Sequence, residues 1–429
     1  MPWKLAILGA SPDALQLARV ARQDPRFAIT AWLEVEGRQA QLLEMAPTGV
    51  ELDDWQDLLA ADVADAVIVS PQRIGREQQR REQLRSLAQN ETPLLLIQPA
   101  CEAILAFQLD MIRSDTGAPM LAYSPGLSHP ALYKMAALRD AGEHSPIGGI
   151  EQLRLERRLR DRSQENVIEC LVRDVGLLRV AAGAVSRVSA TAGPGQQWWT
   201  SLNVALTCGD GVLARWAVAP AGGEEGAQLT AVGSHGTAVL HMPAATESWR
   251  FEVNVNNESP TVEEIEHNSP QDALDELDRS LSSPGLDYSW PQACRDLEVA
   301  SVVEESVRRG RTIPIHGAIA SEENTFKGMM AVGGCAVILL LLAGTLVWAV
   351  VEGVRLARHP PSAARDGHTA AEESPAETTP ILLRLWPVYP LAAFLLLQLL
   401  WLVFLGRPKQ GDKSPQQRKK KPPPVSRDP

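Results

Sequence analysis

Cysteine is scarce in this chain of 429 residues: Cys101, Cys170, Cys208, Cys294 and Cys335 lie far apart, with no CxxC spacing. That excludes a disulfide scaffold and a cysteine-type zinc site, and it suits a reducing compartment. No His/Asp/Glu cluster has metal-ligand spacing, so no metal is expected. Basic charge is in the minority, 41 Lys and Arg against 52 Asp and Glu, for a formal net charge of −11. Nucleic acid is therefore not an expected partner. No signal sequence is expected from the opening residues: after Met1-Pro2-Trp3-Lys4 the apolar run is only Leu5 to Leu8 before Gly9, too short for a signal-peptide core. The N-terminal part of the chain is expected to fold in the cytoplasm.

What is present divides the chain. Residues 407–429 hold eight Lys/Arg and two Asp, a net of +6, which leaves −17 on residues 1–406. Residues 328–351 run for 24 residues without a charge. At about 1.5 Å per residue they cover about 36 Å, enough for a hydrocarbon core of about 30 Å. Residues 381–405 carry one charge, Arg384, close enough to the start to snorkel to the headgroups. Pro387 and Pro390 fall in the first turns, and Trp386, Tyr389 and Trp401 lie towards the two ends as interfacial anchors. Two transmembrane helices are expected, joined by a flexible linker at 352–380 rich in Ala, Pro, Glu and Thr. The basic tail, 406–429, then places both termini on the cytoplasmic side. Arg355 and Arg358 pull the other way, but the tail charge is denser. Membrane lipid is an expected partner, with anionic headgroups a candidate for the basic run 418–421, although a topology signal followed by a disordered end is the favoured reading of that run.

The first 120 residues alternate apolar strands with helices. Strands are predicted at 4–8, 27–35, 66–70, 94–97 and 120–123, and helices at 12–23, 74–89 and 101–114. This α/β pattern implies right-handed crossovers and a doubly wound, Rossmann-like parallel sheet. In such a sheet the turn after the first strand meets a dinucleotide pyrophosphate through G-x-G-x-x-G/A. Here it reads Gly9-Ala10-Ser11-Pro12-Asp13-Ala14. The first and third positions fit. Ser11 crowds the phosphate approach, and Asp13 adds negative charge where an anion would bind. Glu34 ends the second strand, 25 residues after Gly9, and is placed for a ribose hydroxyl. A Rossmann-like domain that binds no nucleotide stands beside the dinucleotide reading.

Later stretches carry a family resemblance. Gly233-Ser234-His235-Gly236-Thr237, the run 289–300 beginning Ser289-Trp290, Arg309-Gly310-Arg311-Thr312, the loop 65–71 ending Ser70-Pro71, and Pro146-Ile147-Gly148 fall in order. The chain resembles the glucose–fructose oxidoreductase / inositol dehydrogenase (Gfo/Idh/MocA) family from about residue 3 to 316. The resemblance implies a dinucleotide-binding domain at 1–123 and a substrate and oligomerisation domain at 124–316 with an open, mainly antiparallel sheet. It implies NAD or NADP as cofactor, held by Gly9, Ala10, Ser11, Glu34, Ser70, Pro71 and Pro99. It also implies a sugar-like small-molecule ligand and a homo-oligomer built through the open sheet. Strands are expected at 149–159, 185–191, 202–208, 212–219, 227–232, 238–242 and 249–254, with a closing helix at 290–309.

The family's catalytic positions do not carry over. Its Glu-Lys-Pro falls on Ile97-Gln98-Pro99, and Gln98 supplies no charge and exchanges no proton at neutral pH. Its His-x-x-Asp falls on Arg173-Asp174-Val175-Gly176, where arginine stays protonated and glycine has no side chain. Its loop histidine falls on Gly75, and its Asn-Arg pair near Pro125-Gly126. Gln98 and Asp174 are the candidates left for catalysis. Asp174 serves either as a base or as the partner of Arg173, Arg179 or the basic run 154–162. His129, before Pro130, reads as a turn residue, and Trp198-Trp199 as a packed pair. Three functions follow: a membrane-anchored ligand-binding protein with degenerate catalytic positions, an active NAD(P)-dependent oxidoreductase on a sugar or cyclitol, and a non-catalytic membrane scaffold.

Overall fold

A computed structural model describes residues 2–315 except 61, 72–74, 194–196, 245–247, 257 and 284–288, and also residues 344, 347 and 351. The chain divides into two compact units, Met1–Gly317 and Ala318–Pro429. The second unit contributes three helical positions, Gly344, Val347 and Val351. Otherwise both predicted spans, the linker and the basic tail lie outside the described residues. Among the described residues no helix is long and apolar enough to cross a membrane.

The first unit holds two sheets. One is built from β1 (Trp3–Leu8), β2 (Phe27–Leu33), β3 (Val50–Glu51), β4 (Ala66–Val69), β5 (Leu94–Ile97) and β6 (Met120–Tyr123), all parallel, in the order β3-β2-β1-β4-β5-β6. Its crossovers are α1 (Pro12–Gln23), α2 (Gln39–Met45), α3 (Glu77–Gln89) and α4 (Ala103–Thr116). β4 and β5 are wholly buried, which is why they read as unbroken apolar runs rather than alternating ones. α1 begins where the sequence dictates: Ser11 caps it and Pro12 occupies its first turn, where a missing N–H costs nothing. The helix expected from 74 begins at Glu77.

α5 (Pro130–Ala141) leads into the second sheet. Its members are β7 (Ile150–Leu159), β8 (Arg187–Thr191), β9 (Asn203–Thr207), β10 (Leu213–Pro220), β11 (Gly226–Gly233), β12 (Gly236–Pro243), β13 (Ser248–Val255), β14 (Thr261–Glu266) and β15 (Ile313–Pro314). Their order is β14-β13-β12-β11-β7-β10-β9-β8-β15. The β7–β10 pair is parallel and the other pairs antiparallel, so the sheet is mixed. α6 (Gln164–Ala182), α7 (Ser269–Ser282) and α8 (Ser289–Arg309) complete the unit. α8 packs on α4, α6 and β8, while α7 packs on α1. Trp198-Trp199 begins a short 3-10 turn rather than a strand, with Trp199 against the core.

The Gly233–Gly236 turn has a steric cause. A Cβ at Gly233 would lie 2.3 Å from the Ile147 carbonyl oxygen, and one at Gly236 2.2 Å from that of Asn254. Both obstacles are backbone and cannot swing aside. Gly236→Ala is therefore expected to lower the thermal midpoint by several degrees, since it costs about 1–3 kcal/mol of overpacking. An unchanged midpoint in scanning calorimetry would contradict this.

Arg26 ties the entry of β2 to α7. Its guanidinium reaches Asp24 and Asp275 at 2.5 Å and Asp278 at 3.0 Å, and Trp3 Nε1 donates to Asp278 at 2.9 Å. The hydrogen bond from Arg26 holds the Asp24 carboxyl down at about 2. A depressed acid contributes stability above its unfolded pKa and loses it as pH falls through the folded one. The staple should thus weaken between about pH 3.8 and 2. Arg26→Met is expected to lower the neutral-pH midpoint and to flatten its acid dependence in that window; parallel curves for parent and variant would refute the assignment.

Candidate functional site

The C-terminal ends of the parallel strands bring most of the predicted residues to one edge. Gly9, Ala10 and Ser11 follow β1, Glu34 follows β2, Ser70 and Pro71 follow β4, and Gln98 and Pro99 follow β5. Gly9 has φ 84°, and a Cβ there would lie 2.9 Å from Ser70 Cβ, so the turn requires glycine. Ser11 serves the protein itself. Its Oγ accepts from the Ala14 N–H at 3.1 Å, and its own N–H donates to Ser70 Oγ at 3.0 Å.

Glu34 stands in the left-handed region at φ 56°, uncommon for a residue with a side chain. Its carboxylate is already engaged by α3. Gln83 Nε2 donates at 2.5 Å, Gln79 Nε2 at 2.9 Å and Arg80 Nη2 at 3.3 Å. What remains between Gly9, Glu34, Ser70, Pro71 and this helix face is a cavity of about 10 Å³, roughly room for one water. In this arrangement the corner where a Rossmann fold seats an adenosine ribose is occupied by the chain's own side chains, which a dinucleotide would have to displace.

A larger cleft of about 360 Å³ opens between α1, α6 and the second sheet, lined by Asp13, His129, Arg173, Trp249 and His267 among others. Arg173 crosses it. Its Nη2 meets Asp13 at 2.7 Å and Glu169 at 2.7 Å, and its Nε donates to the Gln98 carbonyl at 2.9 Å. The position where the family carries a histidine thus latches α6 onto the start of α1. His129 caps α5, accepting from the Ala131 N–H at 3.1 Å, and stacks on Trp249 with centroids 3.9 Å apart. His267 Nε2 lies 2.9 Å from Asp272 and 3.0 Å from Ser128 Oγ. Burial pushes the Cys170 thiol up to about 11, which favours its protonated form at neutral pH.

Asp174 is completely buried. Its carboxylate accepts from Arg157 Nε at 2.9 Å, from a second Arg157 nitrogen, and from Trp216 Nε1 at 2.8 Å. Of the partners open to it in the sequence, a member of the run 154–162 takes the place; Arg179 pairs with Asp296 instead. These commitments leave Asp174 poorly placed to accept a substrate proton. Gln98 does not line the cleft. Its side chain is buried along a neighbouring cavity of about 270 Å³, where Nε2 reaches the Leu96 carbonyl at 3.4 Å. Trp216, Trp249, His267 and the glutamines of α3 carry no signal in the sequence that marks them for the site. Among the described residues no group of three or more His, Cys, Asp or Glu side chains could hold a metal ion.

A six-stranded parallel sheet of this order beside a large mixed sheet is a fold that this chain shares with solved oxidoreductases. An oxidoreductase from Agrobacterium radiobacter, solved with NAD+, L-tartaric acid and magnesium, superposes with a TM-score of 0.61 at 17% identity, over 73% of this chain and 98% of its own. A myo-inositol dehydrogenase from Corynebacterium glutamicum gives 0.57 at 16%, over 74% and 100%. A biliverdin reductase from Synechocystis, solved with biliverdin and NADP+, gives 0.58 at 15%, over 72% and 100%. No protein-family model matches the chain, and no curated protein sequence matches it.

Proposed function

We propose that this chain is a membrane-anchored protein of the oxidoreductase fold that binds a small sugar-type ligand in the 360 Å³ cleft and carries out no hydride transfer. The observation that carries this reading is the self-occupied ribose corner, where Glu34 is held by Gln79, Arg80 and Gln83. Three others agree with it: Gln98 lines the neighbouring cavity, Arg173 is spent on Asp13, and Asp174 on Arg157. The cleft offers what a polyhydroxylated ligand needs, an aromatic wall at Trp249 and polar edges at His129, His267 and Arg173. Residues 328–351 and 381–405 would hold the unit at the cytoplasmic face, with the basic tail against anionic lipid.

The test uses the full chain in detergent, titrated with a panel of sugars and cyclitols, with and without NADH or NADPH. Saturable quenching of tryptophan fluorescence with no change in nicotinamide absorbance is the expected result. Turnover of either cofactor would overturn it. That outcome belongs to the second reading, an active NAD(P)-dependent oxidoreductase, which is favoured by Glu34 at the end of β2 and by the cofactors in the structural neighbours. Membrane anchoring is tested separately: the chain should resist alkaline extraction from membranes, and release into the soluble fraction would exclude the two spans.

A further inference from the structure

A groove of about 300 Å³ lies between α6 and α8 and reaches the first turns of α3 and α4. No residue lines both this groove and the cleft. α6 contributes Glu165, Ile168, Glu169 and Val172, and α8 contributes Leu297, Ala300, Ser301 and Glu304. Each set repeats at i, i+3, i+4 and i+7, which is one helix face. At about 1.5 Å per residue each face is about 10 Å long. Pro99, Ala103 and Ile168 are part-exposed and apolar within it. Ile104, next after Ala103, is 71% exposed, and Met111, on the same face of α4, is 68% exposed. The apolar surface therefore continues out of the groove along α4, further than a small ligand would cover.

Charge narrows the partner. Among the described residues the charged side chains lining the groove are Glu77, Glu102, Glu165, Glu169 and Glu304, all acidic. Arg81 reaches Glu102 at 3.4 Å, and Arg173 reaches Glu169 at 2.7 Å. Glu77, Glu165 and Glu304 form no ion pair among the described residues. Glu77 accepts from the Gly75 N–H at 2.9 Å, which leaves its charge in place. Glu165 and Glu304 are exposed, so both are open to a partner. Burial pushes the Glu169 carboxyl up, and Asp13 and Glu165 push it the same way against Arg173. Helix starts favour carboxylates at Glu77, Glu102 and Glu165, but Glu304 lies in the body of α8. Three helix starts and α8 thus turn like charges onto one part-apolar groove, where they repel unless a cation covers them.

We propose that this groove docks a basic amphipathic segment of a partner protein, its apolar side chains on Pro99, Ala103, Ile104 and Ile168 and its Lys or Arg side chains against Glu77, Glu165 and Glu304. The surface does not depend on what the cleft holds. The probe is a fluorescein-labelled synthetic peptide of about 14 residues, about four helical turns, with Lys and Leu on opposite faces. It is titrated into the full chain in uncharged detergent at low ionic strength, with the anisotropy in detergent alone as baseline. A counterpart peptide carries Glu for every Lys. The Lys peptide is expected to bind saturably, about tenfold or more tighter than the Glu peptide, and to weaken as salt is raised. Glu165→Gln combined with Glu304→Gln should weaken it about fivefold, and Ile104→Gln by about as much. Glu264→Gln on β14 should leave it unchanged. All four positions are exposed, and thermal midpoints establish that the variants fold. No saturable binding, equal binding of the Glu peptide, or folded groove variants that bind like the parent would overturn the proposal. Two outcomes would overturn it by giving the groove another occupant. Self-association of the chain that the double variant abolishes, without peptide binding, would assign it to a second copy. Peptide binding seen only after removal of residues 407–429 would assign it to the chain's own basic tail.

Discussion

Asp174→Ala should lower the thermal midpoint of the chain by on the order of 10 °C, well beyond the effect of most single substitutions. The carboxylate is wholly buried between α6 and the second sheet, and three donors from β7 and β10 converge on it. Removing it leaves the Arg157 guanidinium and the Trp216 indole N–H without their acceptor. Breaking a buried pair from one side costs about 3–5 kcal/mol, because a desolvated charge is stranded. Removing both partners strands nothing, so Asp174→Leu combined with Arg157→Met should be less destabilised than the two single changes summed. Scanning calorimetry of the four species measures that coupling. The same variants separate a structural acid from a catalytic one. A folded Asp174→Ala protein with an unshifted midpoint and lost turnover would make Asp174 a base and refute its role as the buried anchor of Arg157 and Trp216.

How far the sequence carried depended on whether each residue answers to local or distant partners. α1 was legible to the residue because its signals are local: Ser11 caps, Pro12 starts, and the buried face repeats at Ala14, Leu15, Leu17 and Ala18. β5 and β6 were legible as short apolar runs between turns. β14 was not, since Thr261–Glu266 lies on the sheet edge, exposed at nearly every position, and shows no alternation. α7 carries a local start signal in the sequence: Asn268 caps it and Pro270 sits in its first turn. The place of Glu34 after β2 is legible because it follows from strand length alone. Its partners are not, because Gln79 and Gln83 read as the solvated face of a charged helix, yet Gln83 is fully buried. Arg173 was read as a histidine lost. Its work as a latch onto Asp13 joins residues 160 apart in sequence, which no local pattern reports.

The occupied ribose corner makes the last expectation the most discriminating for function. A dinucleotide seating its adenosine ribose on Glu34 must first displace the bonds from Gln79 and Gln83. Hydrogen bonds to a charged group contribute about 1.5–3 kcal/mol each before their replacement by ligand bonds. Truncating both glutamines removes that competition and enlarges the 10 Å³ cavity. Gln79→Ala with Gln83→Ala should therefore raise NADH affinity about tenfold or more, with Glu34 freed to accept the ribose hydroxyls. NADPH should gain less, because the same carboxylate repels a 2′-phosphate. Glu34→Ala, which opens space but removes the acceptor, should lose this preference. Calorimetric titration of the full chain with both cofactors measures all three. If the double variant binds NADH no better than the parent, α3 does not close the corner. If the parent already binds NADH at micromolar levels, the side chains yield readily and the oxidoreductase reading gains the ground that the ligand-binding reading loses.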